Sequence, residues 1–458
     1  MEEPLLFGAV ADDYTGAADL ASMLREQGMR TGLLFGPLPD SAVESIAGRH
    51  QALVIALKSR SPPSGSARRD SLGALEQLRR LGARQLYFKY CSTFDSTLEG
   101  NIGPVIDVLM SAIDTDFTVA VPALPVNGRT QYQGYLFVGD SLLSDTHMRD
   151  HPVTPMTESN LVRHLQKQTS RRVGLIAHSA VREGVAAIES EIERCRRERV
   201  EIALVDAITD DDLNSIAEAV ADLPLITGGS GLGMTLPAAW RRRGLLAGGE
   251  RAGFGMAGRT GRALVISGSC SSATLDQLRN LQDAGGDGGL RLDVAELFTG
   301  DGAAVVNRLL DAIAERLRTS RWALLYSSAS PLERRELLAA AAARAVDSAE
   351  LSRRIEAVMG EVARRAVDAF SIDTLILAGG ETTGAVTQAL GITGVEIGPA
   401  LEPGVPLARS LGDDPVSLVF KSGNFGAPDF FITALRQLGI ADLEREMGRV
   451  REIPGAAS

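Results

Sequence analysis

Seven short polar segments carry most of the residue types that chemistry needs, and they fall into two kinds. Four in the first half are charged: Asp12-Asp13-Tyr14-Thr15-Gly16, Lys58-Ser59-Arg60-Ser61, Lys89 to Gly103 (with Asp95, Ser96 and Glu99), and Pro122 to Gly134 with Asn127 and Arg129. Three in the second half are short and rich in Gly, Ser and Thr: Ser267-Gly268-Ser269-Cys270-Ser271, Gly379-Gly380-Glu381-Thr382-Thr383-Gly384 and Lys421-Ser422-Gly423-Asn424-Phe425-Gly426. Cations set among hydroxyl-binding Asp, Asn and Ser suit a small polyhydroxy carboxylate. Small residues that lead into a helix let backbone N–H groups cradle a phosphate. No segment matches GxxxxGK[ST] or GxGxxG, so neither a P-loop nor a Rossmann fingerprint is present. One such turn says little, because tight turns use the same residues; three in one half say more. The Asp-Asp pair has a competing structural role as a helix N-cap, which this reading gives to Asp12 before Asp13.

Lysine usage sharpens the choice of residues. Of 47 basic residues only Lys58, Lys89, Lys167 and Lys421 are lysine, and three of them lie inside the polar segments. In a chain that otherwise uses arginine, a surviving lysine suits a compact point charge placed against a phosphate.

These segments must be positioned by a scaffold. LLFGAVADD, RTGLLFG, ALVIALKS, RQLYFKYCS and DFTVAVPAL read as strands, mostly apolar on both faces. Helical patterns at Thr15–Gln27, Ser66–Leu81 and Ile102–Ile113 lie between them, with Gly28 and Gly82 at C-cap positions. RVGLIAH, VEIALVDA and LPLITGGSG continue the alternation. GRALVISGSCSS, RWALLYSSAS, DTLILAGGETTG and PVSLVFKSGNFG restart it later, with long helices expected at 303–319 and 333–370. The fold class is α/β, in two domains, each a mainly parallel sheet flanked by helices. Residues 1–243 form the first domain, the Gly-rich 244–262 a linker and 263–458 the second domain. Every polar segment ends a predicted strand, where parallel sheets bind ligands. Two such domains facing each other place the active site in an interdomain cleft suited to group transfer.

Composition sets outer bounds. A chain of 458 residues, 45% hydrophobic and 23% charged, is an ordinary globular protein too long for one core. No run of about 18 apolar residues suggests a membrane span. The acidic start MEEPLLFGAVADD lacks the basic region of a signal peptide. Three scattered thiols, Cys91, Cys195 and Cys270, favour a reducing compartment and give no thiolate metal site. The expectation is a soluble cytoplasmic protein without a membrane partner. A net charge of −11 argues against a nucleic-acid partner. Homo-oligomerisation stays open.

With these residues in place, the sequence resembles the four-carbon acid sugar kinases over nearly its whole length. The resemblance is carried by ADDYTGAADLA at 11–21, FKYCSTFDSTLEGNIGP at 88–104, PALPVNGRTQYQGYLFV at 122–138 and HPVTPMTESNL at 151–161, together with the three Gly-rich loops. It implies an N-terminal domain that binds the sugar acid and a C-terminal domain that binds ATP. The acid would meet Asp12, Lys58, Arg60, Ser96, Asn127, Arg129 and His151. The nucleotide would meet Ser267, Ser269, Gly379, Gly380, Glu381, Thr382, Gly423 and Asn424.

The reaction implied is phosphorylation of the terminal hydroxyl of erythronate, threonate or 3-oxo-tetronate. The KYCSTFDST and NGRTQYQGYLFV spellings are similar to members acting on 3-oxo-tetronate, which leaves a D-threonate or D-erythronate kinase as the alternative. Glu99 departs from the arginine that erythronate and threonate kinases usually carry there, and it faces either a hydroxyl or a structural arginine. Asp13 is the preferred general base, Asp95 the second, and Lys89 and Arg129 the cations for the acid or the transferring phosphate. Mg²⁺ is expected to travel mostly with ATP, with no dedicated protein metal site. A rival from another class is a sensor that binds sugar acid and nucleotide without turnover. Intact Asp13, Asp95 and Lys89 speak against it.

Overall fold

Eight apolar runs of the first half do become strands, and all eight pair in parallel. In the computed structural model they are β1 (Phe7–Ala11), β2 (Thr31–Phe35), β3 (Ala52–Ala56), β4 (Gln85–Lys89), β5 (Thr118–Val121), β9 (Val173–Ile176), β10 (Ile202–Val205) and β11 (Leu225–Gly228). The structure describes residues 5–36, 46, 48–150, 154–247, 254–256, 261–285, 289–298, 302–412 and 414–440. His151 and much of the expected linker lie outside them. Contacts divide the chain into two compact units, Met1–Gly253 and Phe254–Ser458.

In the first unit the strand order is β2-β3-β1-β4-β11-β5-β10-β9. Strands β1, β3 and β4 are buried along their whole lengths, as expected of strands covered on both faces. The chain leaves β1 toward β2 on one side and leaves β4 toward β5 on the other. Loops that part in this way open a crevice at the strands' carboxyl ends. Ala11 is in register with both Ala56 and Lys89, so Asp12, the segment at 58–60 and the segment after Lys89 emerge side by side.

The second unit repeats the principle. Its strands are β12 (Ala263–Ser267), β13 (Leu290–Arg291), β14 (Trp322–Tyr326), β15 (Thr374–Ala378), β16 (Gly394–Glu402), β17 (Val405–Ser410) and β18 (Ser417–Lys421), in the order β13-β14-β12-β15-β18-β17-β16. The first five in that order run parallel, while β17 is antiparallel to both of its neighbours. Ser267 is in register with Ala378, which is in register with Lys421, so the three Gly-rich loops leave neighbouring strand ends.

Three features differ from the sequence reading. The helix expected over 333–370 is two, Pro331–Ala342 and Ser348–Phe370. Alanine-rich sequence hides the break, but Ala345 adopts a left-handed φ of 56° and Asp347 restarts the helix by accepting from the Glu350 N–H. A small antiparallel sheet, β6 (Arg129–Tyr132), β7 (Tyr135–Val138) and β8 (Ser141–Leu142), grows from the segment read as a loop. The β16–β17 pair also lacked a sequence signal; its residues Gly394 to Ser410 mix Gly, Pro and charges with apolar positions. Helices Tyr14–Glu26, Ser64–Arg80 and Ile102–Ala112 fall within two residues of expectation.

Candidate active site

At the carboxyl end of β1 the two adjacent aspartates divide their work. Asp12 still belongs to the sheet: its N–H donates to the Lys89 carbonyl and its own carbonyl accepts from the Ser59 N–H, both at 3.0 Å. Asp13 is the N-cap of helix Tyr14–Glu26, its Oδ1 accepting from the Gly16 N–H at 3.2 Å. The cap therefore falls to Asp13, not Asp12, because strand pairing holds the first aspartate extended for one residue longer.

Arg60 joins the segments. Its Nε and Nη2 donate to the two oxygens of Asp12, each at 2.9 Å, and Nη2 also reaches Asp13 Oδ1 at 2.8 Å. Nη1 reaches Asp95 at 3.4 Å. The fork of a guanidinium is what allows one cation to bind three carboxylates. Asp95 is held on its other side by Thr93 Oγ1 at 2.5 Å. Asn101 fixes the Arg60 segment by donating to the carbonyls of Ser59, Arg60 and Pro62.

Lys89 lies beneath this group, 3% exposed, with Nζ donating to the Tyr90 carbonyl at 2.8 Å. A Cβ on Gly16 would stand 2.4 Å from Asp13 Oδ1 and 2.9 Å from Lys89 Nζ, so only glycine fits between the carboxylate and the ammonium. Burial works to raise the Asp13 pKa, but Arg60, Lys89 and the Gly16 N–H outweigh it and hold the carboxyl below its usual value. In Asp12 burial wins over Arg60 and the pKa is raised. The side chain of Asp13 is 28% exposed against 4% for Asp12, which makes Asp13 the carboxylate a ligand can reach.

The other predicted residues of this unit make separate contacts. Lys58 is exposed, its ammonium 5.5 Å from the centroid of the Tyr14 ring. Arg129 donates to the Asn127 carbonyl at 2.5 Å, and its Nε is buried without a hydrogen-bond partner. The structure joins those two residues to each other and not to the Arg60 group. Asp206, fully buried, pins the hairpin that carries Arg129 by accepting from the N–H groups of Gln133 and Gly134 at 2.7 and 2.9 Å. Ser96 is buried and its hydroxyl accepts from Gln168 at 2.6 Å. Glu99 is exposed, with no ion pair to a described arginine.

Sequence reasoning missed Asp19, one and a half turns into the first helix. Burial raises its pKa, Lys89 pulls against that, and the Ser230 hydroxyl donates to it. No local motif marks it, since Ser230 is distant in sequence.

In the second unit the Gly-rich loops interlock. A Cβ on Gly268 would lie 2.3 Å from Thr382 Oγ1, so the β12 and β15 loops touch only because that side chain is absent. Gly379 has φ 111°, a conformation that needs glycine, and caps helix Gly380–Ala389 without a side-chain hydrogen bond. The first N–H groups of that helix are thus left for a ligand, which favours an anion. Thr382 is buried at that end, whereas Glu381 is exposed. Ser269 lies between these loops, its hydroxyl 2.7 Å from where a Gly423 Cβ would be and 3.3 Å from Ser271 Oγ. Ser267 is buried against Ser328 at 2.9 Å, while Asn424 is exposed. Lys421, 1% exposed, underpins the third loop by donating to Thr274 Oγ1, Ser422 O and Gly423 O at 2.9, 3.0 and 3.1 Å. Burial pushes its pKa down to about 8.

A charged crevice in one unit and interlocking Gly-rich loops in the other agree with comparisons to known proteins. Residues 7–236 match the family model of a sugar-binding N-terminal domain, and residues 264–431 that of a nucleotide-binding C-terminal domain. The chain belongs to the four-carbon acid sugar kinase family. The 3-oxo-tetronate kinase of Cupriavidus necator is 45% identical over 435 residues, covering 95% of this chain and 97% of that protein. That of Salmonella typhimurium is 43% identical over 444 residues, covering 95% and 100%. A solved Haemophilus influenzae structure is 38% identical with a TM-score of 0.76, covering 94% of this chain and 100% of that one. Among the described residues no helix is long and apolar enough to cross a membrane.

Proposed function

We propose that this protein transfers the γ-phosphoryl group of ATP to the 4-hydroxyl of 3-oxo-tetronate in the cytoplasm. The observation that carries this reading is Asp13: a reachable, ionised carboxylate at a strand end, fixed by Arg60 and flanked by Lys89, in a chain close to 3-oxo-tetronate kinases. Three free thiols suit the reducing compartment.

The residues divide the task by charge. Asp12, Asp13 and Asp95 outnumber Arg60 and Lys89, so this group favours the hydroxyl end of the acid over its carboxylate. The carboxylate suits Lys58 and Arg129, whose Nε–H has no protein partner. Asp13 accepts the proton of the attacking hydroxyl; its lowered pKa suffices because that proton leaves late in a loose transition state. Lys89 compensates the negative charge that builds beside it.

On the second unit, ATP phosphates rest on the open end of helix Gly380–Ala389 and against the Gly268 and Gly423 loops. Mg²⁺ would be carried mainly by the phosphates themselves, with Glu381, exposed in the first turn of that helix, as the carboxylate able to assist, and would supply charge neutralisation.

The test is ADP release by the purified protein with 3-oxo-tetronate, D-threonate and D-erythronate. The expected result is a kcat/KM for 3-oxo-tetronate at least about tenfold above the other two, or roughly 1.4 kcal/mol. A higher value for D-erythronate or D-threonate overturns the substrate assignment, and ATP binding without turnover of any four-carbon acid leaves a sensor.

A further inference from the structure

We propose that Thr274 and Gln277 are positioning residues for phosphate binding: they hold the third Gly-rich loop by its carbonyls, so that the Gly423 and Asn424 N–H groups point at the phosphates of the nucleotide. This rests on the reading of the second unit as an ATP site.

Both residues lie on helix Ser272–Gly285, which begins where the first Gly-rich loop ends. Ser271, Thr274 and Gln277 recur at every third position and so share one face. Thr274, fully buried, accepts from Lys421 Nζ at 2.9 Å and donates to the Gly423 carbonyl at 2.8 Å. The Ser271 hydroxyl reaches the same carbonyl. Gln277, 1% exposed, turns its amide nitrogen to the carbonyls of Phe425, Gly426 and Ala427, at 3.1, 2.9 and 2.9 Å. Three acceptors in a row admit only the NH₂ end of an amide. The Gln277 oxygen stays buried without a hydrogen-bond partner. Burial disfavours an unpaired acceptor, so this residue is placed here for its donors.

The direction of the loop's N–H groups follows. In a planar trans peptide the C=O and the next N–H point opposite ways. Lys421 and Thr274 hold the Ser422 and Gly423 carbonyls from the protein side, which turns the N–H groups of Gly423 and Asn424 outward. Neither N–H bonds a described residue. Successive outward N–H groups form a concavity for an anion. Gly423 keeps it open, since a Cβ there would lie 2.7 Å from Ser269 Oγ.

The far side of the loop is held as well. The Ala427 N–H donates to Glu402 at 2.7 Å, and a Cβ on Gly404 would lie 2.8 Å from the Phe425 ring. Helix and β16–β17 turn together fix the loop before a ligand arrives, so little is left to order on binding.

Three full-length variants test this, each first confirmed as folded by thermal melting. Thr274→Val keeps the shape and loses the hydroxyl, Thr274→Ser keeps the hydroxyl, and Gln277→Met keeps the length and loses the donors. Thr274→Val and Gln277→Met should each raise the KM for ATP at least about tenfold and leave the KM for the acid within about twofold. Inhibition by inorganic tripolyphosphate, which probes the phosphate site alone, should weaken by the same factor. Thr274→Ser should stay within about twofold of wild type in all three. If only one of the two disruptive variants folds, it carries the test alone. A purely structural role would lower Tm and leave the KM for ATP and the inhibition unchanged, which overturns the proposal. So does a Thr274→Ser protein as impaired as Thr274→Val. If the wild type releases no ADP with any acid, the kinase reading fails instead. Calorimetry with tripolyphosphate then decides the positioning role: weaker binding to Thr274→Val than to Thr274→Ser supports it, and equal binding overturns it.

Discussion

Replacing Arg60 with methionine is a sharp test of how the charged crevice is held. The guanidinium makes two bonds of 2.9 Å to Asp12 and one of 2.8 Å to Asp13, and the Asp12 side chain is only 4% exposed. Removing one partner of a buried pair costs about 3–5 kcal/mol, because the other charge is stranded. Arg60 retains 22% exposure, which places the expected loss at the lower end, about 3 kcal/mol. For a unit of this size that is a fall of roughly 6–12 °C in Tm. The pH dependence has a definite sign. Burial already raises the Asp12 pKa with Arg60 present, and without the cation it rises further. A carboxyl with a raised folded pKa destabilises only while ionised, so the variant's deficit should be largest at pH 7.5 and shrink as pH falls toward 5. In the wild type the lowered Asp13 pKa gives stability above about 3.8; the variant loses Arg60, the largest of the groups holding it down, so Asp13 adds to the deficit above that pH. Thermal melting of both proteins at the two pH values is the assay. A loss under about 1 °C at pH 7.5, or an equal loss at both, would refute the reasoning.

Gly268→Val drives a branched side chain against Thr382, 2.3 Å from its Cβ, and should raise the KM for ATP at least about tenfold while sparing that for the acid; equal effects on both would count against the phosphate cradle. Lys89→Arg keeps the charge but must fit a planar group where the lysine residue is only 3% exposed, so kcat/KM should fall at least about tenfold, and full activity would end the special role of this lysine. Lys421 has a pKa of about 8, so the KM for ATP should rise as pH passes from 7 to 9, while stability contributed by this group should increase from pH 8 toward 10.5. Lys421→Met should show a high, pH-independent KM for ATP, and an unchanged pH profile would end the role of Lys421 in holding the third loop for the phosphates.

Much of this architecture could be read from the sequence because apolar runs buried on both faces are hard to mistake. ALVIA and TLILA become fully buried central strands, and every Gly-rich or charged segment read as a ligand loop leaves a strand's carboxyl end. Features that depend on distant partners were not legible. The β6–β8 hairpin sheet owes its placement to Asp206, more than 70 residues away. Asp19 acquires its environment from Lys89 and Ser230. Arg60 was legible as a cation, but its three-carboxylate clasp follows from strand register, which spacing alone does not give.

The central claim is that Asp13 takes the proton of the attacking hydroxyl, and steady-state kcat for Asp13→Asn beside Asp95→Asn tests it most directly. Asparagine is nearly isosteric, and its Oδ1 can still accept from the Gly16 N–H that Asp13 caps at 3.2 Å, so folding and the KM for ATP should survive. The account predicts a fall in kcat of about 10²–10⁴ for Asp13→Asn, roughly 3–5 kcal/mol. Asp95→Asn, whose carboxylate is shared between Arg60 and Thr93, should lose less. A reversed order, with Asp13→Asn within a few-fold of wild type and Asp95→Asn inactive, would make Asp95 the base. Two active variants would contradict carboxylate catalysis altogether.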